Sequence, residues 1–171
     1  MRVAFRNSLP VITEAVVAHV ESEFTIAFPQ QYRQFLLQTN GGEPHPRVFT
    51  FMENGKFTDA EVQIIRGIFP VPYIPGGSLS RPEYIGRDFR ATYRRYKFPP
   101  PRMPDELCPV ASDSFGNQIC MAMSGDKMGT VYFWDHEGEI DPEDEEGTPD
   151  WWRNVHFVAN SFNEFLDSLH D

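Results

Sequence analysis

The sequence predicts an α+β fold: a twisted, mainly antiparallel sheet with N-terminal and C-terminal helices packed on it. Three observations lead there. Residues 107–111, 118–123 and 130–134 are short apolar runs, alternating or rich in β-branched and aromatic side chains, separated by polar, glycine-containing turns. Near the N-terminus apolar residues recur twice at helical spacing, first Ile12, Val16, Val20 and Phe24, then Tyr32, Phe35, Leu36 and Thr39. Near the C-terminus Ser161 and Glu164 frame a capping box ahead of the stripe Phe162, Phe165, Leu166 and Leu169.

In chain order, the first helix is expected from about Thr13 to Phe24, with His19 beside its stripe as a partly buried histidine rather than a ligand. The second starts at Pro29, whose fixed φ suits a first turn, and stops at Asn40-Gly41-Gly42. A Pro-rich crossing over residues 43–47 leads to a strand at 48–52 and a turn at 53–55. Residues 62–69 read as a strand because Val-Gln-Ile-Ile is β-like; the Pro and Gly density of 70–81 reads as loop. Phe89, Tyr93 and Tyr96 predict a short helix over 87–97, stopped by Pro99-Pro100-Pro101.

The meander follows. Ile119, Met121 and Met123 face one side of its middle strand, and Gln118, Cys120 and Ala122 face the other. In the next strand Val131 and Phe133 oppose Tyr132 and Trp134, with Trp134 expected in the core. After Trp151 and Trp152, residues 155–159 read as one more strand. A chain of 171 residues, 40% hydrophobic and 14% aromatic, suits a single domain over residues 1–171 with a sizeable core. No apolar run approaches the ~20 residues a membrane span needs. Pro10, Thr13 and Glu14 interrupt any signal-peptide core, so the expected location is the cytoplasm.

Charge is unevenly spread. The net value is −10, yet residues 86–102 carry 6 basic and 1 acidic side chains while residues 103–171 carry 2 basic and 16 acidic ones. Such a field disfavours nucleic acid and steers a basic protein inward, with no membrane partner implied. The densest stretch is an acidic loop insertion at 137–150, EGEIDPEDEEGTPD. Lacking apolar periodicity, it is expected to be exposed and mobile. Its carboxylates Glu137, Glu139, Asp141, Glu143, Asp144, Glu145 and Glu146 are the candidate partner-binding residues. The plainer alternative is a solubilising loop. The basic helix over 87–97 reads as a solvated face whose arginines neutralise the acidic half of the molecule. Nucleic-acid binding through its aromatics is disfavoured, because they share one helical stripe.

Catalytic signatures are absent: no Gly-x-x-x-x-Gly-Lys-Ser/Thr, Gly-x-Ser-x-Gly or His-Glu-x-x-His occurs. Asp135-His136-Glu137 is the one tempting arrangement, but consecutive residues leaving a strand point to alternate sides and should not converge. No catalytic residue, metal site or cofactor is expected, and the chain reads as non-enzymatic. Cys108 and Cys120 lie on strands expected to pair and are read as two small buried thiols.

Residues 113–137, DSFGNQICMAMSGDKMGTVYFWDHE, carry a Gly-Asn pair opening a strand, a glycine-containing turn and a Val-Tyr-Phe-Trp-Asp-His-Glu ending. Residues 29–42, PQQYRQFLLQTNGG, form a second block, and 158–169, VANSFNEFLDSL, a third. In this order they resemble the SUKH superfamily of the Smi/Knr type. The resemblance implies a binding module: either a bacterial immunity protein that neutralises a toxin, or a regulator of the fungal cell-wall glucan synthesis kind. The first expectation is an immunity protein occluding a cognate toxin, often a nuclease or another nucleic-acid-modifying domain in this family. The alternative is a regulatory or scaffolding protein of cell-wall biogenesis or signalling. Fungal members carry long disordered flanks, which favours the bacterial type here.

Overall fold

A computed structural model describes residues 3–58, 63–72, 88–141 and 147–171. The N-terminal ribbon strand β1 (Ala4–Arg6) precedes α1 (Glu14–Phe24), which buries Val16, Val17, Val20 and Phe24. Counting Val17 swings the stripe away from His19, which is exposed rather than partly buried. α2 (Gln30–Gln38) buries Tyr32, Phe35 and Leu36 against it. Arg33 spans the two helices, pairing with Glu14 and Glu21 at a partly exposed site where such pairs contribute little.

The Asn40-Gly41-Gly42 stop also clamps the fold. Asn40 is buried; its Nδ2 donates to the carbonyls of Pro10 (2.8 Å) and Val71 (3.1 Å), and its Oδ1 accepts from the Val71 amide (2.8 Å). Gly41 has φ +77°, and a Cβ there would lie 2.6 Å from the backbone nitrogen of Pro70. Only glycine meets both demands. The chain then forms β2 (Glu43–His45), which pairs antiparallel with β1. This ribbon was not expected: strands of three residues, one containing Pro44, carry too little pattern to read locally.

β3 (Val48–Phe49) and β4 (Met52–Glu53) replace the single strand expected at 48–52. β5 (Lys56–Phe57) closes a hairpin whose tip residues Asn54 and Gly55 both have positive φ, the geometry tight hairpins favour. β6 (Gln63–Ile68) follows as predicted, while most of the loop expected over 70–81 lies outside the described residues. Next come α3 (Phe89–Lys97), β7 (Leu107–Asp113), β8 (Gln118–Ala122), β9 (Val131–Trp134), β10 (Val155–Ala159) and α4 (Phe162–Ser168).

Among the described residues the main sheet has the order β3-β6-β7-β8-β9-β10-β4-β5, with every neighbouring pair antiparallel. β3 and β4 lie far apart in that order, yet only Thr50 and Phe51 separate them in the chain. Three peptide steps reach at most about 11 Å, so the sheet curls until one edge comes back beside β4.

Both faces of the meander are buried. Ile119, Met121, Val131 and Phe133 join the main core with residues of α1, α2 and α4. Cys120, Ala122 and Trp134 point the other way, into a smaller cluster with Tyr96, Met103 and Leu107. Trp134 is therefore buried as expected, but in this second layer. α3 spans the two clusters: Phe89 and Tyr93 enter the first and Tyr96 the second. Its Arg90 and Arg94 pair with Glu23 of α1, so they neutralise the N-terminal part rather than the acidic C-terminal one.

Ser161 caps α4, its Oγ accepting from the Glu164 amide at 3.2 Å. Glu164 does not reach back as the capping-box pattern implied; its carboxylate accepts from Asn160 Nδ2. Half the box is made. Ser161→Ala should therefore cost about 1 kcal/mol, measured as a shift of the urea midpoint. No shift would show that solvent replaces the cap at no cost.

Cys108 pairs in register with Met121, and Cys120 with Pro109. One thiol joins the main core and the other the second cluster; both are free. Burial pushes Cys108 up to about 12 and Cys120 well above its ordinary value, and likewise raises Tyr32 and, to about 12, Tyr93. An unfolded chain releases these protons earlier, thiols near ~8.5 and phenols near ~10. Native stability should accordingly be fully present at neutral pH and fall as pH rises above about 9. A denaturation series from pH 7 to 11 checks this; a flat profile would contradict it. Among the described residues no helix is long and apolar enough to cross a membrane.

Candidate functional site

The turn between β7 and β8 is built by one side chain. Asp113 is buried, and its Oδ1 accepts from the amides of Phe115 (2.8 Å), Gly116 (2.9 Å) and Asn117 (2.9 Å). Its Oδ2 accepts from Asn117 Nδ2 at 2.6 Å. A carboxylate that collects four N–H groups needs no metal or cation to remain buried.

That contact orients what comes next. With Nδ2 committed to a carboxylate, which can only accept, Asn117 presents Oδ1 to His136. There it accepts from the His136 amide (3.0 Å) and lies 2.7 Å from Nδ1. Nδ1 must therefore be the protonated nitrogen, and in the neutral ring Nε2 remains an acceptor. Gly116 has φ +107°, a backbone conformation that L side chains rarely adopt, and its turn lies beside this imidazole, within ordinary contact distance of where a Cβ would sit.

β9 ends at Trp134 and the chain turns at once. The Asp135 amide donates to the Asn154 carbonyl (2.9 Å), Asn154 Nδ2 donates to the Asp135 carbonyl (2.6 Å), and Asp135 Oδ1 accepts from the Glu137 amide (2.9 Å). Strand alternation stops here. Asp135, His136 and Glu137 consequently line one cleft, contrary to the expectation that they diverge.

The cleft has a volume of about 660 Å³. Glu53 and Thr58 of the β4–β5 hairpin, Gln63, the Phe115–Asn117 turn and His156 complete its walls, over Phe51 and Phe133. The two phenylalanines stack with centroids 4.5 Å apart and His156 lies 5.1 Å from Phe51. Phe115 stands at the rim, 66% exposed. Gln63 is only 7% exposed, and its Oε1, itself buried, has no hydrogen-bond partner among the described residues. Among the described lining residues there is no lysine or arginine.

The predicted acidic residues divide. Glu137 is on the cleft wall. Glu139 turns away from any partner to grip Arg102 with both oxygens, while Arg102 also lies over the Tyr96 ring at 4.7 Å. The neighbouring Ile140 is 4% exposed, and Gly138 packs against Asn154. The start of the loop is thus anchored, correcting the expectation of a wholly exposed, mobile excursion: one isoleucine suffices, and single apolar residues show no periodicity. Asp141 follows on the surface, and Glu143, Asp144, Glu145 and Glu146 lie outside the described residues. Glu53, Gln63 and His156 escaped the sequence reading because they are brought to the cleft by pairings distant in the chain. Among the described residues no cluster of His, Cys, Asp and Glu suits a metal ion.

The SPbeta prophage-derived uncharacterized protein YokK of Bacillus subtilis (strain 168) is 39% identical over 70 residues, which are 41% of this chain and 30% of that protein. The match thus spans under a third of that relative's length. A model of the SMI1 / KNR4 family (SUKH-1) matches residues 11–168, from just before α1 to the end of α4. With the whole curled sheet and its helices inside that match, the chain belongs to the SMI1/KNR4 (SUKH-1) family.

Proposed function

We propose that this chain is a non-enzymatic protein-binding module, an immunity protein that binds a cognate toxin in the cytoplasm and neutralises it. The observation that carries this reading is the acceptor-lined cleft, with Glu53, Asp135 and Glu137 around it, on a family scaffold of net charge −10. A toxin acting on nucleic acid needs a cationic site for a polyanion. Carboxylates set in a rigid wall compete for those same cations, and apolar contacts around them slow release. The family's signature residues fit this division of labour: Asp113 and Asn117 are spent on holding the wall. The likeness to a prophage-derived protein points the same way.

The test is growth rescue. A toxin encoded beside this chain is expressed in a test host with and without it, and growth should return only with it. A folded, abundant chain that leaves growth arrested overturns the reading. Within it, the loop carboxylates Asp141, Glu143, Asp144, Glu145 and Glu146 act in steering. Neutralising them should lower the association rate roughly tenfold at low salt and flatten its salt dependence, leaving dissociation nearly unchanged. Stopped-flow mixing at two ionic strengths reads both rates, and an unchanged salt slope would return the loop to a solubilising role.

A further inference from the structure

We propose that the uncovered half of the sheet face that carries Trp134, a cross-strand row of Tyr132, Phe157, Met52 and Phe57 flanked by Trp152, docks an apolar patch on a basic protein partner. This rests on the binding reading above and supplies the contacts that slow release.

Strand register aligns these side chains. Cys120 pairs with Tyr132, Tyr132 with Phe157, Phe157 with Met52 and Met52 with Phe57, so they project from one face across β8, β9, β10, β4 and β5. The rings follow one another: Tyr132 and Phe157 have centroids 6.4 Å apart, Phe157 and Phe57 6.3 Å, and Trp152 meets Tyr132 edge-on at 5.4 Å. Cover is uneven along the row. At one end Cys120 is fully buried in the second cluster with Tyr96, Met103 and Leu107, and that layer reaches only as far as Tyr132 and Val155. Beyond it Phe157 and Met52 are half-buried, Phe57 is 49% exposed and Trp152 40%. Aromatic and methionine side chains gathered on an open face are what the centres of protein interfaces are made of.

Two observations choose the occupant. The first is continuity with the cleft. Alternation along the β4–β5 hairpin, which forms the edge of the sheet, sends Met52 and Phe57 to the row while Glu53 lines the cleft. One partner gripping this edge therefore touches both. Charge is the second. Residues 103–171, which include Tyr132, Trp152 and Phe157, carry 2 basic and 16 acidic side chains. Asp150 Oδ1 accepts from the Trp152 amide at 3.1 Å, which sets a carboxylate at the border of the row. A second copy of this chain brings the same charge of −10 and is repelled, as is an anionic lipid surface; a basic protein is drawn in.

The experiment mixes the chain with an inactivated variant of the toxin used for growth rescue and reads both rate constants by stopped flow. Phe57→Ser with Trp152→Ser, both at exposed positions, should speed dissociation by ~10-fold or more while association and its salt dependence stay near the parent's. Val11→Ser, at a position 63% exposed but outside the row, should change neither rate. Hydrogen exchange on the parent complex needs no variant: the amides of Phe57 and Trp152 should exchange more slowly than in the free chain. A double variant with parental dissociation, an equal loss in Val11→Ser, or a complex that leaves both amides unprotected would each overturn the inference. So would sedimentation of the chain alone as a dimer that Phe57→Ser dissociates, or capture by phosphatidylserine vesicles that the double variant abolishes; these assign the row to a second copy or to lipid. Growth rescue by a complex with an unprotected row removes this inference and keeps the immunity reading. Absence of any complex removes both.

Discussion

Trp134→Ala is expected to lower the unfolding free energy by about 3–5 kcal/mol, a large share of the ~5–15 kcal/mol that holds a typical domain. Trp134 is fully buried and meets Tyr96 edge-on, with ring centroids 5.4 Å apart. It fills the small cluster that seals the second face of the meander, where few neighbours are available to collapse into the space left behind. Among the described residues its indole Nε1 has no hydrogen-bond partner, so part of what the ring contributes is already offset by a buried, unsatisfied donor. Trp134→Phe, which removes that donor and keeps most of the apolar area, should cost clearly less than alanine. Urea midpoints of the two variants test the claim. Equal losses would mean that the N–H is satisfied and that volume alone is not what matters.

The second large effect is expected at Asp113. Its alanine variant strands the amides of Phe115, Gly116 and Asn117 and releases the Asn117 side chain, so a loss of about 3 kcal/mol or more is expected. The consequence also travels to the cleft. Without its anchor, Asn117 is free to rotate, and the His136 ring loses the contact that selects its tautomer. Asp113→Asn should be intermediate: its amide oxygen still accepts from the three backbone groups, but its own NH₂ opposes that of Asn117. Denaturation gives the stability, and the His136 ring nitrogen shifts report the tautomer. An alanine variant with parental stability and an unmoved His136 would show that the turn holds itself without the carboxylate.

Much of the fold was legible because its signals are local. The stripe Val16, Val20 and Phe24, the alternation from Gln118 to Ala122 and the cap at Ser161 each lie within a few turns or a single strand. Apart from His19, a local misreading, the differences arose where a residue's environment comes from elsewhere. His19 was misplaced by one overlooked neighbour on the same helix, Val17. Ile140 gave no periodic signal, yet it is buried; and Glu139, which reads as a docking charge in the sequence, is paired with Arg102.

The candidate site divides along the same line. By itself the sequence determined the helices, the meander, the family resemblance and a strongly acidic C-terminal part, because periodicity, turn chemistry and charge are properties of short stretches. Only the tertiary structure decided which carboxylates face one another. Curling of the sheet carries the β4–β5 hairpin round to the end of β9, so Glu53 comes to share a cleft with Glu137 and Gln63. The turn after Trp134 overrides strand alternation and brings Asp135, His136 and Glu137 together. Both depend on contacts between residues far apart in the chain, which no local pattern encodes.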